Sequence, residues 1–187
     1  MKVGIGTVLL LLLVPLAASQ NFEVTGGWAH LTGDFGLDGF EVGGAVWFNP
    51  KVSIALNYDD SWDTSRVGAF ELTSIGEISV KNHLQNFLVG PRIFFPIKRI
   101  KKHNISPFAE ALFGGSHLNT TIKQVSTGEQ SASDSAFSWL LGGGGDFVVS
   151  PHWATRVNLD FLRTHFSETG QSRLRLVVGV AYSFGHR

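Results

Sequence analysis

The chain has 187 residues, enough for one domain, and balances 15 Lys and Arg against 15 Asp and Glu, which excludes the broad basic field of a nucleic-acid-binding surface. It has no cysteine, so an exported form would draw no stability from disulfides. Glycine (22) and phenylalanine (15) are abundant and charged residues make up only 16%, a composition that suits bent, closed sheets better than helices.

Residues 1–19 read as a secretory leader. Lys2 supplies a positive start, Val8 to Val14 an apolar run, and Ala17-Ala18-Ser19 a small-residue cleavage site. The mature domain is expected over residues 20–187. No further segment approaches the roughly 18 apolar residues that a membrane helix needs.

The rest of the chain alternates with period two, the pattern of half-apolar strands. The first strand is predicted from Phe22 to Leu31, with Val24, Gly26, Trp28 and His30 on one face and Glu23, Thr25, Gly27 and Ala29 on the other. Gly33-Asp34 and Gly36 make a turn. The second strand runs from about Gly39 to Phe48, with Phe40, Val42, Val46 and Phe48 opposite Glu41 and Trp47, and Asn49-Pro50-Lys51 turns into the third, Val52 to Asp60. Ser61 to Lys81 reads as a long polar loop. The fourth strand is Leu84 to Phe95, where Pro91 on the apolar face points to a bulge. A basic turn, Lys98 to Asn104, leads to the fifth strand, Ser106 to Leu118, and Asn119 to Ser135 reads as a second polar loop. The sixth strand is Ala136 to Val149; its four glycines, Gly142 to Gly145, fit a bend or a place where a large neighbour needs room. The seventh is Trp153 to His165.

The eighth strand organises the whole. Leu174, Leu176, Val178, Val180, Tyr182 and Phe184 alternate with Arg173, Arg175, Val177, Gly179, Ala181 and Ser183. Two arginines opposite a greasy face make sense if that face meets lipid and the other lines a narrow polar lumen. Eight strands, with short turns on one rim and longer polar loops on the other, give an all-β, eight-stranded antiparallel up-and-down transmembrane barrel with both termini on the short-turn rim.

Gly179, Tyr182 and Phe184 resemble the C-terminal assembly signal of bacterial outer-membrane β-barrels: a glycine, then two hydrophobic residues two apart, with an aromatic last. Gly185, His186 and Arg187 follow. Through pattern and topology the mature chain is similar to the small eight-stranded barrels of the OmpA-like transmembrane type. The resemblance implies a Gram-negative outer-membrane location. It also implies contact with outer-membrane lipid and lipopolysaccharide, delivery by the barrel assembly machinery, and no cofactor. It names no extracellular ligand.

Alternation turns ten charges inward: Glu23, Glu41, Asp59, Arg92, Glu110, Asp146, Arg156, Asp160, Arg173 and Arg175. An eight-stranded barrel has room only for its own side chains. All of these but Asp59 are therefore assigned to an ion-pair network that plugs the lumen. A structural or surface-interaction role follows, with a narrow channel or transporter for small solutes as the alternative. A lipid-modifying enzyme, as one eight-stranded outer-membrane family contains, ranks last, because no matching Ser-His-Asp motif maps here. The seven histidines have no metal-binding spacing, and no catalytic or metal residues are assigned. Gly26-Gly27-Trp28 is similar to the lipocalin G-x-W, the reading to reopen for a soluble periplasmic protein.

Overall fold

The structure, a computed structural model, describes residues 21–33, 36–67, 78–95, 105–124, 128–166 and 170–184. The leader, the basic turn from Lys98 to Asn104 and the tail from Gly185 to Arg187 lie outside the described residues. Every regular element among those described is a strand: β1 (Phe22–Leu31), β2 (Leu37–Asn49), β3 (Val52–Val67), β4 (Ile78–Phe94), β5 (Ile105–Gln124), β6 (Gly128–Val148), β7 (Trp153–His165) and β8 (Gly170–Phe184).

Consecutive strands pair antiparallel and β8 closes on β1, so the sheet is a closed barrel without edges. Thr25 pairs with Gly43, and the row continues through Asn57, Leu88, Gly114, Ser138 and Thr164 to Gln171. Thr25 itself pairs with Ala181 on β8, ten residues further along that strand than Gln171. This stagger is what tilts the strands and sets the barrel's width.

β1 and β7 occupy the spans expected from alternation, whereas β3 to β6 run further. β3 reaches Val67 and β4 begins at Ile78, so much of the expected polar loop is strand. β5 and β6 likewise consume most of the second loop. Alternation fades there because a strand that leaves the apolar layer has water on its outer face and no longer needs greasy residues. Pro91 introduces no bulge: Val89 pairs with Phe113 and Arg92 with Glu110 in one register, and only the ladder at Gly90 and Pro91, which has no N–H to donate, lapses. The irregularity falls instead between Trp47 and Asn49, at the turn.

The two faces are chemically distinct. Outward lie Val42, Val89, Leu141, Leu159, Leu174, Val178 and Val180, all well exposed. Trp28, Phe40 and Trp62 sit toward the loop rim of this belt, and Phe48, Phe95, Trp153 and Phe184 toward the short-turn rim. Such girdles mark the two interfaces of a membrane barrel. At the closure Phe22 stacks on Phe184 at 5.8 Å, and Tyr182 meets Trp153 and Phe184 edge-on, each at 4.8 Å.

Candidate functional site: a filled lumen

Three arginines and six carboxylates meet inside the barrel in two groups. In the first, Arg156 on β7 grips Asp146 on β6 with two parallel hydrogen bonds, Nε to Oδ1 at 2.6 Å and Nη2 to Oδ2 at 2.8 Å. Its Nη2 also lies 2.7 Å from Glu23 on β1. Arg92 on β4 donates to Glu110 on β5 at 2.7 Å and lies 3.6 Å from Glu23. Glu23 thus joins both arginines. In the second group Arg175 on β8 is shared by Glu41 on β2 (2.8 Å), Asp59 on β3 (2.5 Å) and Asp160 on β7 (2.8 Å). All nine side chains are buried. Ionised groups survive such burial only with partners of this quality.

Arg173 stands apart from these groups. It lies toward the loop rim, where Nη2 donates to Gln171 Oε1 at 2.9 Å and the guanidinium packs beside Gly33. Asp59, turned inward by alternation but left out of the pairing, is a full partner of Arg175. The signal was in its parity: it shares a face with Asn57 and Ala55.

The charges are bracketed by apolar layers. On the short-turn side, inward-facing Trp47 packs against Phe94 at 4.4 Å, and Phe94 against Phe108 at 5.2 Å. The guanidinium carbons of Arg92 and Arg156 sit 4.9 and 5.0 Å from the Phe108 ring centre, within cation–π range. Trp47 therefore belongs to the lumen floor and not to a girdle. On the loop side, Leu31, Leu37, Leu84, Leu88, Leu112, Leu140 and Leu162 point inward and are fully or almost fully buried. On β1, β2, β4, β5, β6 and β7 the leucine is nearer the loops than the charge on the same strand. Parity alone does not reveal this inward apolar layer, because these leucines share their face with the charges.

Glycines give these side chains room. A Cβ on Gly142 would collide with Asp160 Oδ1, and one on Gly144 would lie 2.9 Å from Asn158 Oδ1. Gly179 is the cross-strand partner of Arg156 and also of Gly27, where an added Cβ would lie 2.7 Å from the Gly179 Cα. The glycine of the C-terminal motif is thus demanded by close backbone approach. Tyr182 and Phe184 close the lipid-facing seam between β8 and β1.

Of the histidines, His30, His83 and His117 lie on the outer wall toward the loops, His165 ends β7, and His152 sits in a short turn 3.0 Å from the Ser183 carbonyl. His103 and His186 lie outside the described residues. Among the described residues no three His, Asp or Glu side chains form a metal-holding group.

The fold resembles Ail, the attachment invasion locus protein of Yersinia pestis, at a TM-score of 0.52 and 17% identity, over 87% of this chain and 95% of that one. Ail in complex with the heparin analogue sucrose octasulfate gives 0.54 and 16%, over 87% and 96%. A major outer membrane protein of Thermus thermophilus gives 0.52 and 10%, over 85% and 98%. At these identities the likeness is one of fold. No curated protein matches the chain. The outer membrane protein beta-barrel domain family, however, matches residues 6–184, nearly the whole sequence. With its closed eight-stranded barrel and lipid-facing belt, the chain belongs to that family and is a protein of the bacterial outer membrane.

Proposed function

We propose that this barrel is a closed, surface-presenting protein and not a pore: it holds its loop-side strands outside the cell while its lumen stays sealed. The layered interior carries this reading. A solute would have to pass Trp47, Phe94 and Phe108, then two ion-paired groups, then a layer of leucines. A barrel of eight strands leaves little space beyond what its own side chains fill. Ail, named for attachment and invasion, offers a precedent for surface interaction on this fold. The extracellular partner is unidentified; outer-membrane lipid, lipopolysaccharide and the barrel assembly machinery are the partners this reading assigns.

Catalysis is not part of the reading. Ser135 Oγ and His117 Nδ1 are 2.9 Å apart, but Asp60 on the same wall engages His83 and Gln85 instead. A narrow cation path is the second reading, favoured by the six carboxylates that meet only three arginines in the lumen. Single-channel recording of the purified barrel in planar bilayers decides between them: silence is expected, and discrete cation-selective openings would overturn the closed reading.

A further inference from the structure

The Arg175 group does not balance. One guanidinium serves three carboxylates, Glu41, Asp59 and Asp160, and all four side chains are at most 2% exposed. The other buried charges among the described residues do balance, even with Arg173 at the rim counted. Glu23 on β1, Glu110 on β5 and Asp146 on β6 stand against Arg92 on β4, Arg156 on β7 and Arg173 on β8. Two negative charges are left over, and both belong to the Arg175 group.

Hydrogen bonding singles out the same place. Arg175 holds Asp59 by Oδ1 and Asp160 by Oδ2. No protein group donates to Asp59 Oδ2 or to Asp160 Oδ1. Two buried asparagines on the same strands, Asn57 on β3 and Asn158 on β7, donate their amide N–H to Glu41 and Glu110, and their own oxygens also face no donor. By contrast, Asp146 is gripped at both oxygens and Glu110 accepts at both. An ionised carboxylate taken out of water without a matching charge is strongly unfavourable. The leucine and aromatic layers shut this level of the lumen off on both sides.

We propose that the Arg175 group binds a small, singly charged cation from solution, a proton or an alkali-metal ion, held by Asp59 and Asp160. One positive charge for each carboxylate oxygen that lacks a donor restores neutrality. A divalent metal suits the place less. The carboxylates surround a guanidinium, and among the described residues no three acidic or histidine side chains converge as a metal-holding set. Asp160 Oδ1 also lies against the backbone of Gly142, where an added Cβ would collide with it, which leaves room on that side for a small guest only. The inference rests on the closed lumen of the proposed function. It also accounts for the excess of carboxylates without a cation path, because the counter-charge is resident and not in transit.

The test is the urea midpoint of the full barrel folded in lipid vesicles. One series runs from about pH 7.5 to about pH 9.5, above the ordinary range of histidine and below that of tyrosine. A second, at fixed pH and ionic strength, replaces sodium and potassium by N-methylglucamine, which is too large to sit between these side chains. Unfolded carboxyls ionise near about pH 4 and hold no proton in this range. A folded barrel that keeps one is therefore destabilised as pH rises, and its folding equilibrium constant falls up to about tenfold per pH unit for each proton held. An alkali ion gives the corresponding dependence on its own concentration and none on pH. Asp59→Asn and Asp160→Asn each cancel one excess charge at nearly constant shape, and each should flatten whichever dependence the wild type shows. Asp146→Asn, whose carboxylate already has its arginine, should keep that dependence. The carbonyl stretch of a protonated carboxyl in the infrared spectrum, lost on substitution of Asp59 or Asp160, identifies a proton directly. A wild-type midpoint that responds to neither pH nor alkali ion, or a dependence that both Asn variants retain, would overturn the site. If neither Asn variant folds, the wild-type series and its infrared band decide. Discrete openings of the wild type in planar bilayers would sink the closed-lumen reading and leave a measured midpoint dependence standing.

Discussion

Asp59 on β3 and Arg175 on β8 are 116 residues apart in sequence, yet Arg175 Nη1 donates to Asp59 Oδ1 at 2.5 Å across the lumen. The same guanidinium reaches Glu41 on β2 and Asp160 on β7, so one side chain ties together four strands that flank the β1–β8 closure. The contact with Asp160 lies within the β7–β8 pair, whereas those with Glu41 and Asp59 require β8 to have closed on β1.

Arg175→Met should therefore be among the most damaging substitutions in the lumen. It leaves three buried carboxylates without their shared cation, and breaking a buried pair costs about 3–5 kcal/mol. Arg173→Met, at the loop rim, should cost markedly less. The urea midpoints of the two variants refolded in lipid vesicles provide the comparison; equal midpoints would contradict the placement of Arg175.

Glu110→Gln removes the carboxylate that Arg92 holds at 2.7 Å and leaves that arginine with Glu23 at 3.6 Å. Stability is expected to fall by about 1–3 kcal/mol, the cost of a weakened buried charge contact. Conductance should rise only if the leucine and aromatic layers also yield. Bilayer recording of Glu110→Gln beside the exposed control Ser133→Ala tests both parts.

The leucine layer makes its own prediction. Leu140 is fully buried in the lumen, while Leu141, its neighbour in sequence, is half exposed on the outer face. Leu140→Ala opens a cavity and should cost about 2–5 kcal/mol. Leu141→Ala faces lipid that can fill the gap and should cost a fraction of that. Denaturant midpoints of the pair report which face each residue occupies.

Phe184→Ser should impair assembly more than Arg187→Ala. Phe184 contacts both Phe22 and Tyr182 at the strand seam. The yield of heat-modifiable folded barrel in cells is the readout, and equal yields would argue against a role for the terminal aromatic.

What the sequence made legible was parity. Val178 and Arg175, or Val89 and Arg92, could be sorted to opposite faces because lipid demands apolar side chains on one of them without exception. Two things were hidden by the same rule. Leu88, Leu112 and Leu140 share their parity with charges, and nothing in a local pattern says that a lumen can be layered along its axis. The outer reaches of β3 to β6, where Thr120 pairs with Ala132 and Thr121 with Ser131, carry no greasy period because water bathes both faces. Their strand character comes from hydrogen-bonded register alone. Trp47 sits opposite the greasy face by parity, and its partner there, Phe94, lies too far along the chain for a local pattern to show.

The unequal strands have a mechanical consequence. β5 and β6 have 20 and 21 residues, against 10 for β1. Beyond the polar row at His117 and Ser135 the two continue for roughly 25 Å along the strand, with β4 paired to β5 as far as Gln124. A hydrogen-bonded sheet transmits position in a way that a loose loop does not: whatever touches its outer end is held at a fixed height and bearing above the bilayer. Sequence drift at that tip would change what is touched while leaving the geometry of presentation untouched.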